Sequence, residues 1–466
     1  MDIEPRNAAD FEFTVPLIVI GAGGCGLSAA LAARDLGVEV LVLERDPTPL
    51  GTTAMSTGLI PAAGTPEQGE AGIDDNPARF AADIQKKAEN GADPAVVAML
   101  AAESADTVAW LKAAHALPLT LLEGFVYPGH SVRRMYGMPN RSGAELMAGL
   151  EGAAIAAGAD ILTDATVTAL YADGDTITGV RLERPDGAIE RIGCRALILA
   201  CCGFAGNQEM VLRYIPELER AVFHGHPGNK GDAIRWGLAL GAAVGDIHAY
   251  QGHGGLAAGH NVTINWPAIT EGGFQVNLHG ARFSDESTGY SDQAVKIIAQ
   301  PDHLAWTVFD QRCHAVMMQF EDFQQAIAAG AVMRGESVAE LAAACRLPVA
   351  ALERSFAEAE ASRAGAEPDV FGRRFLPDRP ALAAPFFAVR VAGALFHTQG
   401  GLEVDAQARV LRADGTAFPN LFAGGGAARG ISGAGASGYI AGNGLLTATT
   451  LGKVAGRTAA AMLSDG

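Results

Sequence analysis

The hydrophobic pattern near the start of the chain predicts a strand, a helix and a second strand. An apolar run from Leu17 to Ile20 precedes closely spaced glycines, an alanine-rich segment that ends near Gly37, and a second apolar run that ends at Glu44. Short apolar runs bounded by glycine are typical of buried parallel strands, and the alanine-rich segment between them has the length of a helix. The pattern therefore predicts a βαβ unit.

The same types of pattern continue downstream. The stretch "RSGAELMAGLEGAAIAAG" has the periodicity of an amphipathic helix, and alternating positions on either side of "ADGDT" indicate two strands and a turn. The fully apolar run in "RALILACCGF" then predicts another parallel strand of the same sheet. Residues 1–246 are therefore expected to form one doubly wound domain.

The pattern changes after this point and then returns. Strand and helix signals such as "TVFDQRC" and "VAALERSFAEAEASRAG" occupy residues 247–396, and short strands with glycine turns resume from "HTQGG" onward. An interrupted first domain is the simplest explanation. We therefore predict a first domain made of residues 1–246 and 397–466, with a second domain of residues 247–396 inserted into it.

The composition and net charge of the chain limit which molecules it is expected to bind. The chain has 466 residues, of which 49% are hydrophobic and 18% charged, as in a folded globular protein of two or three domains. Its formal net charge of -18 argues against binding to nucleic acid or to an anionic membrane surface, and so favours a small-molecule substrate. The six cysteines have no CxxC spacing, which argues against a zinc ribbon or a dithiol redox pair.

The N-terminal residues and the apolar run that follows them indicate where in the cell the protein is located. The segment "MDIEPRNAADFEF" is acidic where an export signal would be basic, and the following apolar run is interrupted by glycines. We therefore expect a cytoplasmic protein with no integral membrane segment.

The glycine turn in the βαβ unit has the spacing of a phosphate-binding turn. Gly21, Gly23 and Gly26 have GxGxxG spacing after a strand and before a helix, and the acidic Glu44 follows at the end of the second strand. The first glycine permits the turn, the second lets a pyrophosphate approach the backbone, and the third allows close packing of helix and strand. Glu44 is positioned to accept hydrogen bonds from ribose hydroxyls, so the unit predicts a dinucleotide site.

Several stretches together resemble one flavoprotein family. They are "GAGGCG" with Glu44, "TTAMSTGLIPAAGT", "ACCGFAGNQEM", "NKGDAIRWGLALGA", "GARFSDE", "HTQGGLEVD", and "LFAGGGAARG" with the glycine stretch after it. This order is similar to that of soluble fumarate reductases, urocanate reductases, tricarballylate dehydrogenases and 3-ketosteroid dehydrogenases. The resemblance spans nearly the whole chain.

The resemblance implies an α/β fold, with a Rossmann-like FAD-binding domain of the glutathione-reductase type and an inserted α+β capping domain. It also implies FAD as the cofactor, and the absence of His from the loop around Thr53 favours noncovalent attachment. The implied cofactor-binding residues are Gly21, Gly23, Gly24, Cys25, Gly26, Glu44, Arg45, Thr52, Thr53, Ser56, Thr57, Gly58, Val167, Cys202, Gly203, Asn207, Asp232, Gly425, Gly426, Gly442, Asn443 and Leu445.

The C-terminal glycine stretch bears on substrate class. Fumarate reductases have an Arg there that binds a substrate carboxylate, whereas "GAGASGYIAGN" has none and contains Tyr439 instead. Ketosteroid dehydrogenases have a Tyr in this stretch and another after the RF-x-x-E motif, as Tyr439 and Tyr290 are here. In contrast, Arg282 and His397 correspond to proton-donating and substrate-contacting residues of the carboxylate enzymes.

Each of these residues also has a structural explanation. Tyr439 can be a packed aromatic side chain, Tyr290 a residue of the domain interface, and Arg282 the partner of Asp285 or Glu286 in an ion pair. These alternatives stay open at the level of the sequence.

The leading hypothesis is an FAD-dependent enzyme that forms or reduces a C=C bond next to a carbonyl, in a cyclic or steroid-like ketone. Tyr439 and Tyr290 would polarise the carbonyl and move the proton, and FAD would take the hydride. The alternative is a reductase or dehydrogenase of the fumarate, urocanate or tricarballylate type, with Arg282 as proton donor. The electron acceptor remains unknown.

Overall fold

The computed structural model describes residues 2–6, 10–375 and 379–464. Met1 and residues 465–466, which are the outer ends of the predicted first domain, lie outside the described residues, as do residues 7–9 and 376–378.

Among these residues the strands, in chain order, are β1 Asp2–Pro5, β2 Phe13–Ile20, β3 Val40–Leu43, β4 Ile60–Pro61, β5 Thr120–Leu121, β6 Met135–Gly137, β7 Asp160–Leu162, β8 Thr166–Asp173, β9 Thr176–Glu183, β10 Ile189–Leu199, β11 Val222–Phe223, β12 Val244–Gly245, β13 Tyr250–Ala257, β14 Phe274–Asn277, β15 Leu304–Asp310, β16 Val332–Gly335, β17 Phe386–Thr398, β18 Gly401–Leu402, β19 Arg409–Leu411 and β20 Ala417–Ala423.

The helices are α1 Gly24–Asp35, α2 Gly51–Ala54, α3 Pro66–Glu70, α4 Pro77–Lys87, α5 Pro94–Ala113, α6 Gly143–Ala156, α7 Gln208–Tyr214, α8 Asp232–Ala239, α9 Pro267–Thr270, α10 Tyr290–Ile298, α11 Gln311–Met317, α12 Glu321–Ala328, α13 Val338–Cys345, α14 Val349–Arg363 and α15 Asn443–Ser464. Short 3₁₀ turns cover Pro216–Leu218, Glu286–Thr288, Pro301–His303 and Gly425–Ala427.

The first sheet contains the predicted βαβ unit. Its strands run in the order β1-β8-β9-β10-β2-β3-β7, and β20 adds to β10 and carries β19 at its other edge. The pairs β10–β2, β2–β3, β3–β7 and β10–β20 are parallel. Strands β8 and β9 form the hairpin predicted around "ADGDT". Because a parallel sheet is covered on both faces, β2 and β3 are buried where they pair.

The second sheet is centred on the long strand β17. This strand pairs antiparallel with β13, β15 and β16 and parallel with β11, and β14 extends the sheet beyond β15. Its apolar faces and the helices against them form a separate core that includes Phe274, Phe309 and Val389. The fold is thus an α/β fold with two large mixed sheets.

Two details differ from the pattern read in the sequence. Strand β11 lies before the predicted boundary at residue 246, yet it pairs with β17 of the second sheet. A two-residue strand carries too little hydrophobic pattern to be assigned to either sheet. The stretch "TVFDQRC" is divided, because Asp310 caps α11 by accepting hydrogen bonds from the backbone N–H groups of Arg312 and Cys313.

Helices α1 and α15 pack against each other at unusually close range. A Cβ atom at Gly452 would lie 2.4 Å from the carbonyl oxygen of Cys25, and one at Gly456 would lie 2.1 Å from that of Ala29. Both distances are too short for any side chain. Glycine at these two positions therefore lets the backbones of the two helices touch.

One helix among the described residues, α5, is long and apolar enough to cross a membrane by length and composition. Val97, Leu100 and Leu111 of this helix are buried in the first core. These contacts are those of a core helix, and the expectation of no integral membrane segment remains a prediction.

The contact between α1 and α15 can be tested with matched glycine substitutions. Gly456→Ala is expected to lower the free energy of unfolding by about 2 kcal/mol or more, because its methyl group overlaps the Ala29 carbonyl. Gly152→Ala in α6 is the control, since its Cβ meets open space and alanine favours the helix by about 1 kcal/mol. Urea unfolding measures both variants, and equal stability would contradict the proposed contact.

Candidate active site

A cavity opens where the carboxyl ends of parallel strands meet the second sheet. Its lining is formed by the turn between β2 and α1, the end of β3, the loop around α2, the end of β10, residues of β13 and β17, and the start of α15. Ligands of open α/β sheets bind at this edge of the parallel strands.

One end of the cavity is the phosphate cradle of the GxGxxG turn. Gly21 has a φ of +100° and Gly23 has no atom within 4 Å of the position that a Cβ would take. The first turn of α1 leaves backbone N–H groups without partners inside the helix. One of them, the N–H of Gly24, donates a hydrogen bond to Thr53 Oγ1 at 3.2 Å. The space before Gly23 and the positive end of the helix fit a pyrophosphate.

Glu44 is held rigidly at the end of β3. Its Oε2 accepts a hydrogen bond from the N–H of Ala22 at 2.8 Å, and its Oε1 accepts one from the N–H of Asp46 at 3.0 Å. Each carboxylate oxygen keeps a further acceptor position. The residue lines the cavity, as a ribose-binding carboxylate must.

Most of the residues expected to bind cofactor line this one cavity. They are Gly21, Gly23, Gly24, Cys25, Glu44, Arg45, Thr52, Thr53, Ser56, Thr57, Val167, Cys202, Asp232, Gly425, Gly426, Gly442 and Leu445. Tyr439, Tyr290 and His397 line it too. Outside the lining lie Gly26, Gly58, Gly203, Asn207, Asn443 and Arg282.

The residues outside the lining have structural contacts of their own. A Cβ at Gly26 would lie 1.8 Å from the Gly21 carbonyl oxygen, which is the close helix–strand packing expected of the third glycine. A Cβ at Gly58 would lie 2.7 Å from the carbonyl oxygen of Ser142, and one at Gly203 would lie 2.0 Å from Thr398 Oγ1.

The two asparagines outside the lining organise the loops behind it. Asn207 caps α7 by accepting a hydrogen bond from the N–H of Met210 at 3.2 Å. The amide nitrogen of Asn443 donates to Gln399 Oε1 at 2.7 Å and to Ser432 Oγ at 2.8 Å. Asn443 thereby ties the start of α15 to the loop after β17.

Cys202 occupies a backbone conformation that favours glycine. Its φ is +64°, and this residue stands where the resembling enzymes have a Gly. Left-handed conformations cost a non-glycine residue roughly 1 kcal/mol or more. The structure does not explain why cysteine is present at this position.

The other end of the cavity is aromatic. The rings of Tyr290 and Tyr439 have centroids 6.0 Å apart, and His397 lies 5.8 Å from Tyr439. The start of α15 passes close to them, because the N–H of Gly444 donates to the Tyr439 hydroxyl at 3.3 Å. A Cβ at Gly444 would lie 2.8 Å from His397 Nε2, so glycine makes room for the imidazole.

The two phenols lie against each other at the start of α15. Their rings meet edge to face, and the Tyr439 oxygen accepts a hydrogen bond from the backbone N–H of Gly444 at 3.3 Å. Burial raises the pKa of both phenols above the usual value, so both remain protonated at neutral pH. Because the Tyr439 oxygen accepts the hydrogen bond from Gly444, its own proton is available to donate to a ligand.

The histidines of this end are neutral. Burial lowers the pKa of His397 to about 4 and that of His253 to about 3. His253 is stacked between Tyr290 and Phe396 with centroids 4.7 and 4.9 Å away, and its Nδ1 accepts the N–H of Gly255 at 2.9 Å. The Nδ1 of His397 lies 3.2 Å from the carbonyl oxygen of Thr398, and its ring meets the cavity.

Arg282 belongs to a buried ion-pair network. Its guanidinium donates to Asp369 at 2.5 Å and to Glu286 at 3.2 Å, and Arg373 donates to the same Glu286 oxygen at 2.9 Å. Burial alone would lower the pKa of Arg282, but Glu286 and Asp369 raise it. The ion pair with Glu286 is one of the two structural alternatives that the sequence left open.

Several cavity residues were not anticipated from the sequence. Tyr127, Asn265, Trp266, Asp322 and Phe396 line the aromatic end. Tyr127, Asn265 and Trp266 lie on loops, whereas Asp322 lies on α12 and Phe396 on β17. None of them belongs to a spaced motif. The one usable signal was Phe396, which directly precedes "HTQGG".

The fold and the cradle define a flavoprotein of the FAD-binding class. The family model described as "FAD binding domain" matches residues 17–445, and the chain belongs to this family. The residues of the cavity fit the cofactor, since the glycine turn, the helix start and Glu44 would hold its phosphates and ribose. The chain is an FAD-dependent oxidoreductase.

The chain is similar in sequence to several reductases. A probable fumarate reductase of Shewanella frigidimarina is 28% identical over 98% of this chain and 77% of its own length. A urocanate reductase of Eggerthella lenta is 25% identical over 90% of this chain and 71% of its own length.

Solved structures show the same fold. The open conformation of a flavocytochrome c3 fumarate reductase matches with a TM-score of 0.80 and 27% identity, over 98% of this chain and 80% of that one. A 3-ketosteroid-Δ4-(5α)-dehydrogenase of Rhodococcus jostii matches with a TM-score of 0.77 and 22% identity, over 99% and 100% of the two chains. The second match shows the fold alone.

The phosphate cradle predicts a selective effect at Gly23. Gly23→Ala is expected to weaken FAD binding at least about tenfold, because the methyl group would occupy the space that the pyrophosphate enters. The thermal stability of the FAD-free protein should be unchanged, since this Cβ meets no atom within 4 Å. Fluorescence titration with FAD measures the affinity, and wild-type affinity would contradict the assignment.

The buried neutral His253 predicts a dependence of stability on pH. The pKa of His253 is about 3 in the folded protein and about 6.5 in the unfolded chain. At a pH between these two values, His253 is protonated in the unfolded chain and neutral in the folded protein. Stability is therefore lost as the pH falls, by about 2 kcal/mol from this residue between pH 7 and pH 5.

Urea unfolding of His253→Phe at both pH values checks this prediction. The variant should lose less stability than the wild type on acidification, whereas His260→Phe at an exposed position should behave as the wild type does. An unaltered pH dependence in His253→Phe would contradict the neutral assignment.

Proposed function

We propose that this FAD-dependent enzyme acts on CH–CH groups and forms or reduces a C=C bond next to the carbonyl of a neutral, cyclic or steroid-like ketone. The supporting observation is the pair of protonated phenols, Tyr290 and Tyr439, at an end of the cavity without a permanent positive charge. Among the described residues, Arg45 is the single Arg or Lys in the lining, and it bonds Asp46 and Gly228 beside the predicted ribose site.

The described residues at the aromatic end include no Arg or Lys, which favours a neutral substrate. A carboxylate that leaves water for a buried site needs a counter-charge or several strong donors, at a cost otherwise of several kcal/mol. A ketone oxygen needs only hydrogen-bond donors. The Tyr439 hydroxyl is such a donor, because its oxygen already accepts a hydrogen bond from the N–H of Gly444.

The same residues can move the proton. In desaturation, a proton leaves the carbon next to the carbonyl and a hydride leaves the neighbouring carbon, so that the C=C bond forms between them. FAD, when bound, supplies the acceptor for the hydride. Tyr439 stabilises the negative charge that develops on the carbonyl oxygen, and the neutral imidazole of His397 is available to take the proton.

The reduction of a small unsaturated carboxylate is the second candidate function. The fumarate and urocanate reductases among the relatives favour it. In that case Arg282 would have to leave Glu286 and Asp369 to reach the cavity. The domain boundaries, the noncovalent attachment of FAD, the cytoplasmic location and the absence of nucleic-acid partners remain predictions.

Anaerobic stopped-flow with saturated ketones and carboxylates tests the proposal. Ketones are expected to bleach the flavin absorbance, and Tyr439→Phe should slow this step at least about a hundredfold, because it removes the donor to the carbonyl oxygen. Tyr214→Phe is the control, since Tyr214 lies outside the lining. No bleaching by ketones, together with reoxidation of the reduced enzyme by fumarate, would favour the second candidate.

A further inference from the structure

Both phenols of the aromatic end are supported from one helix that is not part of the cavity. Helix α4 lies outside the lining along its whole described length, Pro77–Lys87. Lys87, at its last turn, contacts the segment that contains Tyr290. Asp83, one turn earlier, belongs to a hydrogen-bonded chain that ends beside Tyr439.

Lys87 binds the chain on both sides of Tyr290, which is the first residue of α10. Its ammonium group donates a hydrogen bond to the carbonyl oxygen of Thr288 at 2.8 Å and lies 3.7 Å from Asp292 Oδ2. The side chains of Lys87 and Asp292 are both mostly buried, so water screens their attraction only weakly. One lysine thus holds the residue two positions before Tyr290 and the residue two positions after it.

His130 supports the chain directly after Tyr439. Its Nε2 lies 2.9 Å from the carbonyl oxygen of Ala441, which can only accept, so Nε2 carries the proton and donates. Nδ1 then accepts a hydrogen bond from Arg134 Nη1 at 3.0 Å. Burial, to which the charge of Arg134 adds, lowers the pKa of His130 to about 4, so the imidazole is neutral and keeps this tautomer.

Arg134 connects this imidazole to α4. Its Nη1 donates to Asp83 Oδ2 at 2.6 Å, and its Nη2 and Nε donate to the two oxygens of Asp75 at 2.7 and 3.0 Å. The side chains of Arg134 and Asp75 are fully buried. Two-pronged contacts between a guanidinium and a carboxylate fix the direction of both groups, so the position of His130 is set by α4 and its neighbouring loop.

The backbone at the end of α4 also touches the glycine stretch directly. A Cβ at Gly433 would lie 3.1 Å from the carbonyl oxygen of Ala88, and one at Gly438 would lie 3.1 Å from Ala88 Cα. Gly438 is the residue before Tyr439. The segment with Tyr439 therefore rests on the end of α4 at one side and on His130 at the other.

We propose that Lys87 and His130 are positioning residues, which hold the two phenols at a fixed separation from a shared helix. Lys87 acts through Tyr290. His130 acts through Tyr439. This inference rests on the proposed function, because both phenols are taken to act on one substrate carbonyl. Their rings are 6.0 Å apart, and a displacement of about 1 Å in a reacting group can slow a reaction about a hundredfold.

Stopped-flow of the FAD-loaded enzyme tests the contact of Lys87, with cyclohexanone and a saturated 3-ketosteroid as probes. Lys87→Met keeps the length of the side chain but removes its charge and donor, and it is expected to slow bleaching of the flavin about tenfold. Lys87→Arg should restore part of the rate, since a guanidinium can still donate to Thr288 and pair with Asp292. Lys86→Met is the matched control, because Lys86 is exposed on the same helix and outside the lining.

Variants of His130 test the second contact with the same probes. His130→Phe removes the donor to Ala441 and is expected to slow bleaching about tenfold. His130→Gln should stay near the wild-type rate, because its amide nitrogen can take the place of Nε2. If His130→Phe does not fold, His130→Asn replaces it, since its shorter amide cannot reach the Ala441 carbonyl. Equal rates in the Gln variant and in the variant without the donor would overturn the role of His130.

Double variants show whether each residue acts through its phenol. Lys87→Met should have no further effect in Tyr290→Phe, because the position of a hydroxyl is irrelevant once the hydroxyl is absent. For the same reason, His130→Phe should have none in Tyr439→Phe. Slowing by the same factor with and without the hydroxyl would show a merely structural role and reject the inference.

The outcomes separate this inference from the proposed function. Bleaching that requires Tyr439 but proceeds at the wild-type rate in Lys87→Met and His130→Phe would reject the positioning roles alone. Absence of bleaching by either ketone in the wild type would reject the proposed function, and this inference with it.

Discussion

The close contact between α1 and α15 determines where both ends of the active site lie. Gly452 and Gly456 let α15 touch the backbone of α1 at Cys25 and Ala29. The two helices begin at Gly24 and Asn443, and the starts of both reach the same cavity. Positive helix ends are thereby brought to the cradle and to the aromatic end. A larger side chain at either glycine would separate these ends.

Burial then sets the protonation state of the aromatic end. Without an Arg or Lys nearby in the described lining, burial acts on Tyr439, Tyr290, His397 and His253 in the direction of their neutral forms. The ion-pair network that holds Arg282 supports this arrangement, because Glu286 and Asp369 keep its charge outside the cavity. A site of neutral donors and neutral imidazoles can polarise a carbonyl without a charged partner.

The sequence predicted those parts of the molecule that depend on local pattern. The βαβ unit, the phosphate cradle and Glu44 follow from residues close together in the chain, whose spacing fixes their geometry. Tyr439 and Tyr290 were found through resemblance, and the contact of their rings depends on two elements from different parts of the chain. Trp266 and Asp322 had no local signal, because their proximity arises only from packing of the capping elements. The pairing of β11 with β17 was missed for the same reason.

Whether the substrate is a ketone or a carboxylate depends on which charged side chains line the buried cavity. Two relatives are named as reductases of fumarate and urocanate, and a carboxylate that is buried away from water needs a counter-charge or several strong donors. In this chain the described cation of the lining is Arg45, which is bound to Asp46 at the ribose end. A substrate dianion at Tyr439 would leave its charge unbalanced, whereas a ketone oxygen needs only a donor such as the Tyr439 hydroxyl, whose oxygen already accepts from Gly444. This balance of charge is the basis on which we propose a neutral substrate.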